Sequence, residues 1–198
     1  MPVSRFGETD IGWLRRWRAR VLLSSFAGDP DDIYRAVHRL RDNEFFVAAY
    51  ARDFFERTDE LLKSNRVRAV RRLLVFGNVE ERTEPLSRAI ISFHRGMRGY
   101  DCRLIHAMVY ESVLTRHGIA TVMDFGIFGN KRLYRARTDR PDHVLGTWTR
   151  RGAEIRQYIA AFDDAWAEAS VPSPAEADLQ IDLPSLFTSA REAAGVVR

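Results

Sequence analysis

Hydrophobic and polar residues follow two different periods along this chain, and the change between them falls near Arg66. Before that point apolar side chains recur every three or four positions, which predicts helices. These helices span about residues 10–22, 31–40 and 44–63, and Asp10, Asp31 and Asp32 supply acidic residues at the starts of the first two. After that point the run from Val67 to Phe76 has the composition of a strand that ends in a Gly-Asn loop.

Strands and helices are predicted to alternate from there to about residue 169. The predicted strands are 67–76, 101–110, 120–128, 132–137 and 143–149, and the predicted helices are 85–99, 111–117 and 153–169. This succession indicates an α/β fold with right-handed crossovers. We therefore expect an N-terminal helical layer in residues 1–65, an α/β unit in 66–170 and a loosely packed C-terminal extension in 171–198. Leu183, Leu186 and Phe187 could still dock that extension on the core or on a partner.

Composition excludes some classes of protein. No apolar run approaches the roughly 20 residues of a membrane-spanning helix, and the first residues lack the apolar core of a signal peptide, so we expect a cytoplasmic protein without a membrane partner. The single cysteine, Cys102, has no partner for an internal disulfide, and its place in a predicted strand indicates a buried thiol. The 31 basic and 27 acidic residues are interspersed, which favours solvated or ion-paired roles over a nucleic-acid surface.

Four stretches between residues 66 and 169 resemble one half of the phospholipase D superfamily. They are Leu73-Leu74-Val75-Phe76, the segment from Arg95-Gly96-Met97 to Leu104-Ile105, the strand Thr121 to Asn130, and Phe162-Asp163-Asp164-Ala165-Trp166. The core Asp124-Phe125-x-Ile127-Phe128 is also similar to a group of uncharacterised actinobacterial proteins with an Asp-Phe-x-x-Phe signature. The resemblance implies a phospholipase-D-like mixed sheet flanked by helices, with Phe162 and Trp166 packed beneath it. It also implies a homodimer, since single-half members commonly pair; the alternative is that the first three predicted helices cover the surface that a second half would occupy.

The catalytic motif of that family is missing here. Where active members carry His-x-Lys-x4-Asp, this chain has Val122, Asp124 and Gly129. An acid thus replaces the lysine that would hold a phosphate oxygen, and none of the five histidines has a lysine two residues further on. We therefore expect no phosphodiesterase activity. Ligand spacings for zinc and a phosphate-binding loop are absent too, so no metal or cofactor is expected.

Three functions compete on this basis. The first is a noncatalytic protein that binds a regulatory partner or a small ligand in the relic cleft. The second is an enzyme of specialised metabolism with a site rebuilt around Asp124, Asn130, Arg71 and Arg103. The third is a basic protein that binds nucleic acid by shape. A flat apolar patch would favour the first, a pocket lined by Asp124 and arginines the second, and a continuous arginine face the third.

Overall fold

A computed structural model describes residues 32–40, 49–119, 124–135 and 147–193 of the chain. The helix predicted over 10–22 and the start of the one predicted over 44–63 lie outside these ranges. In chain order the elements are β1 (Ile33–Arg39), α1 (Ala49–Lys63), β2 (Ala69–Phe76), α2 (Val79–Thr83), α3 (Pro85–Gly96), β3 (Tyr100–His106), α4 (Ala107–Arg116), β4 (Phe125–Phe128), β5 (Arg132–Arg135), β6 (Thr147–Thr149), α5 (Gly152–Glu168), a 3-10 turn (Pro174–Glu176) and α6 (Leu183–Ala193).

The strands form one mixed sheet of six in the order β3-β2-β1-β4-β5-β6. β1, β2 and β3 run parallel to one another. β4 pairs antiparallel with β1, β5 with β4, and β6 with β5. We call the edge at which the three parallel strands end the carboxyl edge, and the one at which they begin the amino edge. Since β4 and β6 run the opposite way, they begin at the carboxyl edge and end at the amino edge. The α/β fold with a mixed sheet flanked by helices is thus confirmed.

Helices cover both faces of the sheet and form two separate cores. On one face α1, α3 and α6 contribute Phe55, Ile90 and Leu186, which are fully buried against the sheet. On the other face α4 and α5 contribute Tyr110 and Phe162, which are buried to the same degree. The expected burial of Phe162 and Trp166 is confirmed, and their rings stack with centroids 5.6 Å apart.

The segment 33–39 was predicted as helix and this prediction is wrong, because these residues form the central strand β1. The reason is that β1 is buried on both faces: Tyr34 and Ala36 pack in one core and Val37 in the other. Such a strand lacks the period of two that reveals a half-buried strand, and its apolar positions fit a helix equally well. The sheet therefore begins at Ile33 rather than at residue 66.

Two further boundaries differ from the sequence prediction. Residues 107–110 continue as helix rather than strand, since α4 starts at Ala107 and the His106 ring accepts a hydrogen bond from the Met108 amide. The C-terminal extension is packed rather than loose, because α6 lies against α3 with Leu186 and Ala190 fully buried. In contrast β2, α3 and α5 lie within one to three residues of their predicted bounds, and Cys102 is buried as expected.

Candidate functional site

The direction in which successive strands are added to the sheet reverses between β1 and β4. The chain leaves β1 toward β2 on one side, and it returns after β3 to lay β4 on the other side of β1. In open α/β sheets ligands bind at the carboxyl ends of the strands where the order reverses in this way. The candidate site is therefore the carboxyl edge at the end of β1 and the start of β4.

Asp124 occupies this position, directly before β4. Its Oδ2 accepts a hydrogen bond from the Arg39 backbone amide at 3.3 Å, and the same oxygen lies 3.6 Å from Nδ1 of His38. Both His38 and the Asp124 side chain are shielded from solvent, at 8% and 18% exposure. The last residues of β1 thus hold the Asp124 carboxylate in a fixed orientation.

His38 is an uncharged member of this site at neutral pH. Burial lowers the pKa of its imidazole to about 3, and the positive charge of Arg72 acts in the same direction. The contact with Asp124 is therefore a contact between a carboxylate and a neutral ring, not an ion pair. A histidine with so low a pKa is a weak general base and is not protonated to act as an acid.

α4 closes the site from the other face of the sheet. Glu111 Oε1 lies 3.7 Å from Nη2 of Arg39, whose buried Nε has no hydrogen-bond partner among the described residues. Burial raises the pKa of Tyr110 well above its usual value, and the negative charge of Asp124 adds to this effect. Tyr110 therefore stays a neutral phenol. The group as a whole offers a carboxylate, a guanidinium and neutral donors, which suits binding better than attack on phosphorus.

The four residues predicted to share a site fall into three places. Asp124 is at the carboxyl edge, whereas Asn130 lies in the β4–β5 turn at the amino edge, at the other end of the same short strand. Val122 lies outside the described residues. Asn130 is next to Lys131, which binds Asp32 at the start of β1. The structure thus does not bring Asp124 and Asn130 together.

Arg71 and Arg103 do come together, on the face covered by α5. Their guanidinium groups lie over the Trp166 ring at 5.6 and 4.8 Å from its centroid, and Arg103 donates a hydrogen bond to the Trp166 carbonyl. Arg71 also lies 3.8 Å from Asp163, which binds Arg35 at 3.1 Å. These contacts tie α5 to the sheet, so both arginines have a structural function where the sequence predicted a ligand contact.

His38 and Arg39 were missed as site residues. They stand about 85 positions from Asp124, and only the antiparallel register of β1 with β4 places them beside it. Once 33–39 is recognised as a strand, its carboxyl end becomes a place to search. No local pattern in the sequence announces the contact.

No family model, no curated protein and no solved structure matches this chain. Across residues 32–40, 49–119, 124–135 and 147–193, no group of three or more His, Cys, Asp or Glu side chains could hold a metal ion. Within the same ranges no helix is both long enough and apolar enough to cross a bilayer.

Proposed function

We propose that this chain is a noncatalytic phospholipase-D-like protein that acts by binding a small ligand or a regulatory partner at the carboxyl edge. The observation that carries the proposal is the state of Asp124. Its carboxylate takes the place of the phosphate-holding lysine, and the Arg39 amide fixes it there. A carboxylate at this point repels a phosphodiester, and the neighbouring His38 is neutral and buried.

Exposed apolar residues on the same edge support binding. Val79, at the start of α2, and Met108, in the first turn of α4, are 65% and 74% exposed. They follow the adjacent strands β2 and β3, whose last residues Phe76 and His106 have ring centroids 5.4 Å apart. Apolar side chains beside a few fixed polar groups are typical of ligand and protein contacts.

Turnover of bis(4-nitrophenyl) phosphate tests the noncatalytic part of this proposal. The purified protein should show no hydrolysis above buffer, because the chain lacks both the nucleophile and the phosphate clamp. His38→Ala and Asp124→Asn are the matched variants. Hydrolysis by the purified protein that disappears in either variant would refute the proposal. Residual activity of equal size in all three proteins would identify a contaminant and leave the noncatalytic function standing.

Replacement of the exposed apolar pair tests the binding part. A Val79→Ser and Met108→Ser double variant should keep the stability of the parent, since both side chains face solvent. It should weaken binding of a ligand or partner identified for this protein by tenfold or more, as contact residues at the centre of an interface do, at about 1.4 kcal/mol per tenfold. Unchanged binding would place the contact elsewhere on the surface.

The rebuilt-enzyme alternative rests on the contact between His38 and Asp124 at 3.6 Å. A pair of this kind could orient a general base. The pKa of His38 decides between the two functions. Nuclear magnetic resonance titration should find His38 neutral down to about pH 4 if the residue is buried as described. A His38 pKa between about 6 and 8 would favour the enzyme.

A further inference from the structure

The amino edge of the sheet, opposite the candidate site, collects basic residues that are far apart in sequence. We call them the basic edge, and in spatial order along the sheet they are Arg98 before β3, Arg66 and Arg68 before β2, Lys131 in the β4–β5 turn, Arg132 at the start of β5, and Arg150 and Arg151 after β6. All are exposed except Arg132, which is partly exposed.

Backbone hydrogen bonds fix the loops of the basic edge side by side. The Arg68 amide donates to the Asp32 carbonyl at 2.9 Å, and the Val70 amide donates to the Gly99 carbonyl at the same distance. In the β4–β5 turn the Gly129 amide donates to the Ile33 carbonyl at 3.2 Å. With neighbouring strands about 4.8 Å apart, six strands spread these charges over roughly 24 Å.

The charges of the basic edge are largely uncompensated. Lys131 binds Asp32 at 3.2 Å, but none of the six arginines forms an ion pair within the described part of the chain. Several arginines on the helices do find acids: the pairs include Arg52 with Glu56, Arg57 with Glu60, Arg88 with Asp178 and Arg116 with Glu168. The basic edge differs in bringing together six arginines without an ion pair among the described residues.

Two of these arginines are close enough to affect each other. Burial lowers the pKa of Arg132, and the positive charge of Arg150 lowers it further. Like charges held together without an acid between them destabilise the isolated protein and are relieved when an anion binds. The α1 and α3 helices also end at this edge, and their dipoles supply about half a negative charge each. That offsets only a small part of the positive charge.

Positive charge is in local excess at the basic edge among the described residues. The edge holds seven basic side chains, and the described acids beside it include Asp32, Asp101 and Glu154. Asp32 pairs with Lys131 and Glu154 pairs with Arg135, so neither neutralises the six arginines of the edge. This local excess of positive charge attracts an approaching polyanion to the basic edge.

The shape and composition of the edge select among polyanions. No exposed aromatic ring lies among the described side chains of this edge, so these side chains offer no stacking platform for single strands. The seven residues include no apolar side chain that could enter a membrane. The edge consists of loop and strand ends, which cannot enter a major groove as a recognition helix does.

We propose that the basic edge binds the phosphate backbone of double-stranded nucleic acid without reading its sequence. Phosphates on one strand recur about every 3.4 Å, so an edge of about 24 Å faces roughly seven of them. This interaction uses the edge opposite Asp124 and does not depend on the function of the carboxyl edge.

Fluorescence anisotropy with a labelled duplex of about 25 base pairs tests the proposal. Binding should be equal for unrelated sequences, and log K should fall with log salt with a slope of about −5, or −0.9 for each of six free arginines. The triple variant Arg66→Ala, Arg68→Ala and Arg98→Ala should reduce the slope by about 3 units and weaken binding by about two orders of magnitude near 0.1 M salt.

A triple variant elsewhere provides the matched control. Arg57→Ala, Arg156→Ala and Arg191→Ala removes the same charge from exposed positions on α1, α5 and α6. It should bind nearly as the parent does. Equal weakening by the two triple variants would overturn the proposal, because net charge alone would then explain binding. No binding at about 50 mM salt would overturn it too.

Competitors settle the class of polyanion. An unlabelled single strand of equal length that displaces the labelled duplex more than about tenfold better than unlabelled duplex does would overturn the duplex assignment. Vesicles with about 30% phosphatidylserine that displace the labelled duplex when unlabelled duplex fails to do so would overturn it as well. The same samples run on a denaturing gel report on the carboxyl edge independently. Strand cleavage abolished by His38→Ala would refute the noncatalytic function and leave duplex binding intact.

Discussion

Arg72 is a buried cation without an acidic partner among the described residues, and its replacement by methionine tests the packing of the core around it. The residue is 5% exposed and lies on β2 between Ala36 and Cys102 of the flanking strands. Its Nε and Nη2 have no hydrogen-bond partner, and none of the acids forms an ion pair with it in the described part of the chain. Its guanidinium lies over the rings of Tyr34 and Phe55, at 5.8 and 5.9 Å.

Two opposing contributions set the change in the free energy of unfolding that Arg72→Met causes. Burying an ion costs several kcal/mol after relaxation, and an arginine does not escape by losing its proton. Each cation–π contact returns about 2 kcal/mol at most when it is desolvated, and there are two of them. Methionine keeps the apolar stem and fills a similar volume. We therefore expect Arg72→Met to leave the free energy of unfolding unchanged or to raise it by about 1 to 3 kcal/mol.

Urea denaturation measures this change, provided that the m value stays constant. Arg71→Met is the matched control, because Arg71 is the next residue on β2 but points to the opposite face and has Asp163 and Trp166 as partners. It should lower the free energy of unfolding by about 0 to 1 kcal/mol, as half-exposed ion pairs do. A loss above about 2 kcal/mol in Arg72→Met would mean that an anionic group compensates Arg72, and the reasoning would fail.

Three further predictions follow from the same contacts. Trp166→Ala should lower the free energy of unfolding by about 3 to 5 kcal/mol, since it removes a ring packed on Phe162 and under Arg103. A loss below about 1 kcal/mol on chemical denaturation would show that α5 does not pack on the sheet through this ring. Burial lowers the pKa of His38 to about 3 and that of His94 well below 6.5. The unfolded chain therefore takes up protons on these rings before the folded one does, and the free energy of unfolding should decrease as pH falls below 6.5. The decrease should be up to about 1.4 kcal/mol per pH unit for each ring. His94→Phe should remove one such slope in urea titrations across pH, whereas parallel curves for the variant and the parent would contradict a buried, neutral His94. A homodimer is expected from the resemblance to single-half phospholipase-D-like proteins, and sedimentation at micromolar concentration should find it; a species of 22.8 kDa at every concentration would contradict it.

The elements that sequence predicted well are those whose pattern has one dominant cause. α5 buries Ile155, Phe162 and Trp166 on one side and exposes its other side, so a period of 3.6 stands out. β2 follows a clear change of period, and Pro85 fixes the start of α3. Each of these signals is local, and each element is stabilised by the same residues that generate the signal.

The central strand and the site could not be predicted in this way. Because β1 packs into both cores, its apolar residues follow no single period. The grouping of Asp124 with Asn130 failed for a related reason. A strand rises about 3.4 Å per residue, so residues at the two ends of β4 reach opposite edges of the sheet. Asp124 and Asn130 are close in sequence, which suggested one site, but strand pairing places them at two opposite edges of the sheet.

The same pairing explains why the basic edge is invisible in the sequence. Arg68, Arg98, Arg132 and Arg150 are between 18 and 34 residues apart along the chain, with acids in between. They become neighbours because β2, β3 and β5 begin, and β6 ends, at the same edge of the sheet. Interspersion of charge in sequence therefore does not imply interspersion on the surface, because the field around a protein follows its folded arrangement.

The geometry of the β4–β5 turn accounts for the glycine at position 129. The φ of Gly129 is +56°, which other residues rarely adopt. A Cβ at this position would overlap the Asp32 carboxylate, which in turn binds Lys131. An aspartate at 129 would also bring a second negative charge against Asp32. Gly129→Asp would therefore strain the turn that holds β4 against β1. Glycine at this position preserves the hairpin and the spacing of the basic edge at once.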